Sequence, residues 1–128
     1  MDQLVRVFGG SYPLDTEDLE PLWPKMVASH REIADYALEK GVIVALQNHD
    51  NNNLAATSED VLRILREVDR SNFSFIMDTG QWRGSPGASG DPDPEVDIYG
   101  YMEQTLPHAG YVRCKIYRIQ GGEEEWLD

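Results

Sequence analysis

Cysteine occurs once, at Cys114, so no disulfide can form within the chain. In the segment Tyr111–Tyr117 its expected role is that of a small buried hydrophobe. Long apolar runs are missing as well. No stretch approaches the roughly 20 residues of a membrane-spanning helix, so no membrane partner is expected. The start, Met1-Asp-Gln-Leu-Val-Arg-Val7, lacks the basic-then-apolar layout of a secretory signal, which makes the cytoplasm the expected location. Basic residues are scarce: Lys+Arg number 11 against 23 for Asp+Glu, a formal net charge of -12. Binding to a nucleic-acid backbone draws on clustered Lys and Arg, so no nucleic-acid partner is expected. A small anion in a locally basic pocket stays compatible with that balance. Gly9-Gly10 lacks the further glycine spacing of a phosphate-binding fingerprint. What is present, 41% hydrophobic and 27% charged residues, is ordinary for one globular domain over residues 1–128.

The most informative stretch is Val42-Ile-Val-Ala-Leu-Gln-Asn-His-Asp50. An apolar run without alternation predicts a strand buried on both faces, as in a parallel sheet. The polar cluster Gln47, Asn48, His49 and Asp50 follows at its carboxyl end, where α/β sheets and barrels place ligand sites. Phe73-Ser-Phe-Ile-Met77 followed by Asp78-Thr-Gly-Gln-Trp82 repeats the arrangement. Two such strands predict one shared site.

Around them the chain alternates. Leu4–Phe8 is a first strand closed by Gly9-Gly10. A helix is expected over Leu19–Lys40, regular from near Pro24 and capped by Gly41. His30 lies on it as a surface or hydrogen-bonded helix residue. Asn51-Asn-Asn53 is a loop. Thr57-Ser-Glu-Asp60 starts a second helix with Thr57 as its cap. Gly80–Pro94 is a long Gly/Pro-rich loop of the kind that binds ligands. Val96–Leu106 is a third helix, and Tyr111–Tyr117 a fourth strand. Glu123, Glu124 and Glu125 read as a solvated charge run, with no closing element after it. The order is β-α-β-α-β-α-β, with units of about 30 to 40 residues typical of parallel βα repeats. Four units fit a small open sheet or half of an eight-stranded barrel, which needs about 250 residues.

Particular segments favour the barrel. Val44-Ala-Leu-Gln-Asn-His-Asp50 resembles the A-L-E-N-H segment of the sugar phosphate isomerase/epimerase family, the xylose isomerase-like TIM barrels. Thr57–Leu65 resembles that family's next helix, and Phe75-Ile-Met-Asp-Thr-Gly80 its L-D-T-G strand. Val5–Gly10 and Val112–Lys115 are similar to the strands on either side. The resemblance covers about Leu4 to Trp126. It implies an α/β fold of parallel βα units, a partial (half) TIM barrel corresponding to about strands four to seven.

The resemblance also implies chemistry. Such proteins hold a divalent metal (Mn, Mg or Zn) through Glu, Asp, His and Glu at four strand ends. The metal acts as a Lewis acid while carboxylates move a proton at the adjacent carbon. Position by position, Asp78 matches the ligand aspartate. Gln47 stands where the first glutamate is expected, as second metal ligand and catalytic position. Arg113 stands near the expected histidine, and the second glutamate would lie beyond Asp128. An amide oxygen can bind a hard cation but accepts no proton, and a guanidinium is never a ligand. Arg113 and Lys115, alternate residues of one strand, share a face. They suit an acidic sugar, with Lys115 also a catalytic candidate, and otherwise pair with Asp78. His49, Gln81 and Trp82 complete the expected substrate-binding set, the Trp82 indole either stacking on a sugar or packing its own loop.

The function implied is that of a sugar isomerase or epimerase acting on a small carbohydrate or sugar phosphate by metal-assisted proton transfer in its complete form. The four units alone are then expected to be inactive. The alternative, favoured by Gln47, is a non-catalytic or metal-independent binder of an acidic sugar or metabolite. Metal-dependent DNA repair endonucleases share the barrel, but the acidic balance and absence of a histidine cluster count against them. A free-standing open-sheet domain rests on chain length only. Homo-oligomerisation stays open.

Overall fold

The computed structural model describes residues 3–50, 52–85, 92–115, 117–120 and 123–126. Strand β1 (Gln3–Phe8) leads through a 3-10 turn (Glu20–Leu22) to helix α1 (Trp23–Glu39). Then come β2 (Val42–Gln47), α2 (Ser58–Val68), β3 (Phe73–Asp78), α3 (Ile98–Thr105) and a 3-10 turn (Leu106–His108). Strands β4 (Ala109–Arg113), β5 (Tyr117–Gln120) and β6 (Glu123–Trp126) complete the order.

Strands β1 to β4 form one parallel sheet in the order β1-β2-β3-β4. The order never reverses, unlike that of a doubly wound sheet, which has a switch point. Side chains alternate between the faces along each strand. Leu46, Phe75 and Met77 point to one face and share a core with Trp23, Met26 and Val27 of α1 and Val61, Ile64 and Val68 of α2. The register places Arg6, Ala45, Gln47, Ile76, Asp78 and Arg113 on the other face. Helices outside and a second face inward is the layout of a TIM barrel, of which this is a partial one. The edge strands keep apolar side chains exposed, Val5 and Phe8 on β1 and Tyr111 and Val112 on β4.

The helix signals hold with small shifts. Pro21 sits in the 3-10 turn and Pro24 in the first turn of α1, so the regular helix starts at Trp23, next to Pro24 as expected. Gly41 follows the helix with φ +66, a left-handed conformation that favours glycine. Thr57 and Asp60 form the capping box of α2. Helix α3 begins at Ile98 rather than Val96, because the Asp97 carboxylate caps it at Gly100 N. At Gly9 an added Cβ would lie 2.8 Å from Ala55 N and 2.9 Å from Asn53 Oδ1, so only glycine fits where β1 passes the β2–α2 loop. His30 is buried, its Nδ1 at 2.8 Å from the Met26 carbonyl oxygen and its Nε2 at 3.0 Å from that of Phe8. An imidazolium donates to both, a neutral ring to one at a time.

Two expectations need correction. The fourth strand runs Ala109–Arg113, not Tyr111–Tyr117. Pairing with β3 starts earlier, with Gly110 left unpaired between Phe75↔Ala109 and Ile76↔Tyr111, and stops at Asp78↔Arg113. Tyr117–Gln120 instead pairs antiparallel with Glu123–Trp126, a hairpin the sequence reading left out. Cys114 is exposed rather than buried, because it lies past the last paired residue of β4. The side chains of Glu123, Glu124 and Glu125 lie outside the described residues, as do Asn51 and residues 86–91 of the long loop.

Ion pairs tie the helices together. Arg63 of α2 bonds Glu20 and Glu67 and lies 4.0 Å over the Trp23 ring. Arg70 bonds Asp35 of α1 through two nitrogens. The hydrogen bonds from Arg63 hold the Glu20 carboxyl below its ordinary range, and those from Arg70 do the same for Asp35. A lowered folded-state value means stabilisation that is complete above the ordinary carboxylate range and lost as pH falls through the lowered value. Glu20→Gln should therefore lower the unfolding midpoint slightly at pH 7 and leave it unchanged in acid. Thermal melts across pH 2 to 7 check this; an equal difference at every pH would refute it.

Candidate functional site

The carboxyl ends of the four parallel strands carry one row of polar side chains, joined by hydrogen bonds and ion pairs. Each strand contributes a residue from the inward face. Arg6 Nη1 of β1 donates to Gln47 Oε1 of β2 at 3.2 Å. Gln47 Nε2 donates to Asp78 Oδ2 of β3 at 3.0 Å. The same Asp78 oxygen lies 3.6 Å from Arg113 Nε at the end of β4 and 3.8 Å from Lys115 Nζ just after it. Asp78 is fully buried, and its other oxygen accepts from Gly80 N at 3.0 Å. Side-chain exposure is 17% for Lys115 and 51% for Arg113, so both cations reach from solvent toward a dry carboxylate.

The backbone around Asp78 is equally fixed. Asn48 Nδ2 donates to the Asp78 carbonyl at 2.9 Å, and Asp78 N donates to Asn48 Oδ1 at 2.7 Å. Thr79 N donates to the Arg113 carbonyl at 3.1 Å. Lys115 N donates to Thr79 Oγ1 at 2.9 Å, and that hydroxyl donates to the Lys115 carbonyl at 3.2 Å. These contacts continue the ladder between β3 and β4 for two residues past its end. They bring Lys115 back over Asp78.

Of the residues singled out from sequence, Gln47, Asp78, Arg113 and Lys115 meet in this row. His49 lies beside it, lining a shallow cavity of about 300 Å³ with Phe8, Ser11 and Asn53. Its ring packs edge-on against Phe8 with centroids 5.5 Å apart, and its Nδ1 is 3.9 Å from Asp50 Oδ1. Gln81 is buried, and its side-chain oxygen has no hydrogen-bond partner among the described residues. Trp82 is not available to a sugar. It has 0% exposure and packs into the helix-side core between Phe75 and Tyr101. The indole packs with the loop's own core contacts, in one cluster with Leu46, Phe75 and Met77.

One residue of the row escaped the sequence reading. Arg6 is a charged residue inside an apolar strand, and its place two before Phe8 puts it on the inward face; that was the available signal. Asn48 was named in the polar cluster closing β2, but without the role of holding the Asp78 backbone.

A divalent metal shared by Gln47 and Asp78 does not fit this donor set. The Gln47 oxygen faces Arg6 and its NH2 faces Asp78. Reversing the amide would set oxygen against carboxylate and NH2 against guanidinium, so the orientation is fixed by its neighbours. Two cations within 4 Å of Asp78 Oδ2 would also repel a third. Among the described residues, no three His, Cys, Asp or Glu side chains come together as a metal site.

The family profile of xylose isomerase-like TIM barrels matches residues 2–119, and the chain belongs to that family. A probable 3-DHS dehydratase from Bacillus anthracis superimposes with a TM-score of 0.68 at 22% identity, covering 94% of this chain and 39% of that one. A D-tagatose 3-epimerase-like protein gives 0.68 at 20% identity, covering 88% and 41%. D-psicose 3-epimerase from Clostridium cellulolyticum H10 gives 0.62 at 22% identity, covering 86% and 37%. At these identities the likeness is one of fold. The chain spans about two fifths of the length of these structures. A sequence search among curated proteins gives no significant match. Among the described residues, no helix is long and apolar enough to cross a membrane.

Proposed function

We propose that this chain supplies four strands of the ligand site of a sugar isomerase/epimerase-type barrel, and that the ligand is a small carbohydrate. The observation that carries this is the buried Gln47–Asp78 pair, joined at 3.0 Å on the inward face at the carboxyl ends of the two central strands. Barrels of this kind hold their ligands there. Family membership and structural neighbours named as epimerases support it. Proton movement next to a carbonyl is the reaction class. In this chain Lys115 and His49 are the side chains placed to serve it, while Gln47 orients and accepts no proton. No step is assigned to a metal.

Calorimetric titration with D-tagatose, D-allulose and D-fructose 6-phosphate tests the proposal. Saturable binding of at least one, unchanged by EDTA and lost in Asp78→Leu, is expected. No binding of any sugar would overturn it. The second reading, a non-catalytic binder, is favoured by the amide at position 47. Incubation of a bound sugar in D2O separates the two. Deuterium entering the carbon beside the carbonyl supports catalysis and overturns the binder.

A further inference from the structure

We infer that Arg113 and Lys115 stand in for the metal ion, and that the carbohydrate this site takes carries an anionic group, a carboxylate or a phosphate. The inference rests on the carbohydrate site proposed above and names its substrate class.

Both cations lean on the same oxygen, Asp78 Oδ2, at 3.6 and 3.8 Å. That oxygen also accepts the Gln47 amide at 3.0 Å. Neither cation contact is a short, aligned hydrogen bond, because a charge-assisted pair closes to about 2.7–2.9 Å. Among the described residues, one carboxylate charge is thus divided between two full positive charges. Arg6 adds to the same side. Its guanidinium bonds a neutral amide and lies 5.0 Å from the Phe8 ring centroid, and it forms no ion pair among the described residues. Among the described residues, the row therefore sets three cationic side chains against the single Asp78 carboxylate, in a chain whose net charge is -12. A half-exposed Arg113 with a forked set of donors faces the inward side and can take two oxygens of one anion. Lys115, more deeply set, supplies a point charge beside it.

Charge neutralisation also explains Gln47. A glutamate there would place a second carboxylate against Asp78 Oδ2 and would draw the cations onto itself. The amide instead donates to Asp78 and is held in that orientation by Arg6. The cations stay loosely held by Asp78, at 3.6 and 3.8 Å, and can turn to a ligand.

The test titrates the full chain with four probes: D-fructose, D-fructose 6-phosphate, D-gluconate and inorganic phosphate. The expected result is that the sugar phosphate, the sugar acid or both bind at least about tenfold tighter than D-fructose, the scale of one charge-assisted contact. Whichever charged sugar binds identifies phosphate or carboxylate as the anionic group. Arg113→Gln with Lys115→Gln should abolish that preference, and Arg113→Lys should keep part of it. Both variants change side chains that reach solvent, and circular dichroism confirms the fold. Equal binding of D-fructose and the charged sugars would overturn the inference while leaving the carbohydrate site standing. Inorganic phosphate binding as tightly as the sugar phosphate would support an anion site and remove the carbohydrate reading. Failure of all four probes would overturn both.

Discussion

Asp78→Leu is expected to destabilise the protein by about 3 kcal/mol, a fall in melting temperature on the order of 10 °C for a domain of this size. Leucine is bulkier than aspartate, so overpacking of a fully buried position adds to the cost. The larger loss lies in the groups left behind. Gln47 Nε2 and Gly80 N each lose their acceptor within a buried environment. Arg113 and Lys115 lose the carboxylate between them and repel one another. Their partial exposure limits that repulsion, since solvent screens it. Asp78→Asn separates the contributions. Its side-chain oxygen can still accept from Gly80, so a cost about half that of leucine is expected, most of it charge. Denaturant melts of the two variants check this. A leucine variant as stable as the parent would show that the row across the four strands is not formed.

Trp82→Ala should be more damaging still, at about 3–5 kcal/mol. The indole is among the largest side chains with no exposure, and it lies 6.2 Å from the Phe75 centroid and 5.6 Å from that of Tyr101. Removing it opens a cavity where the β3 loop meets the helix-side core. Trp82→Phe is the informative partner. The indole Nε1 is buried with no acceptor among the described residues, so losing it removes an unsatisfied donor. The phenylalanine variant should fall within about 1.5 kcal/mol of the parent. Sugar titrations on it should match the parent, because the ring faces the core. A weakened affinity with unchanged stability would return Trp82 to the ligand site.

Much of this was legible before any coordinates. Val42–Leu46 and Phe73–Met77 announced buried parallel strands, because an apolar run without alternation has nowhere else to go. Thr57 and Asp60 marked a helix start through a local hydrogen-bond pair that needs only four consecutive residues. The polar residues closing each strand announced a site, and the segment resemblances gave the family that the profile match supports. Less legible was β4. Its limits depend on which residues of β3 it pairs with, and an unpaired Gly110 shifts that register. The β5–β6 hairpin was missed because its strands pair with each other and carry no buried-strand pattern.

The sequence by itself determined the alternation of strands and helices through β3, the alternating faces along each of those strands, and the set of polar groups available at their ends. A period of two suffices for these. Tertiary structure alone decided how that set is wired. Gln47 and Asp78 are 31 residues apart, and Arg6 and Gln47 are 41 apart. Their contacts follow from strand register and side-chain orientation, which no local pattern encodes. That wiring turned the Gln47 amide toward Asp78, gave one carboxylate oxygen to two cations, and sent Trp82 into the core.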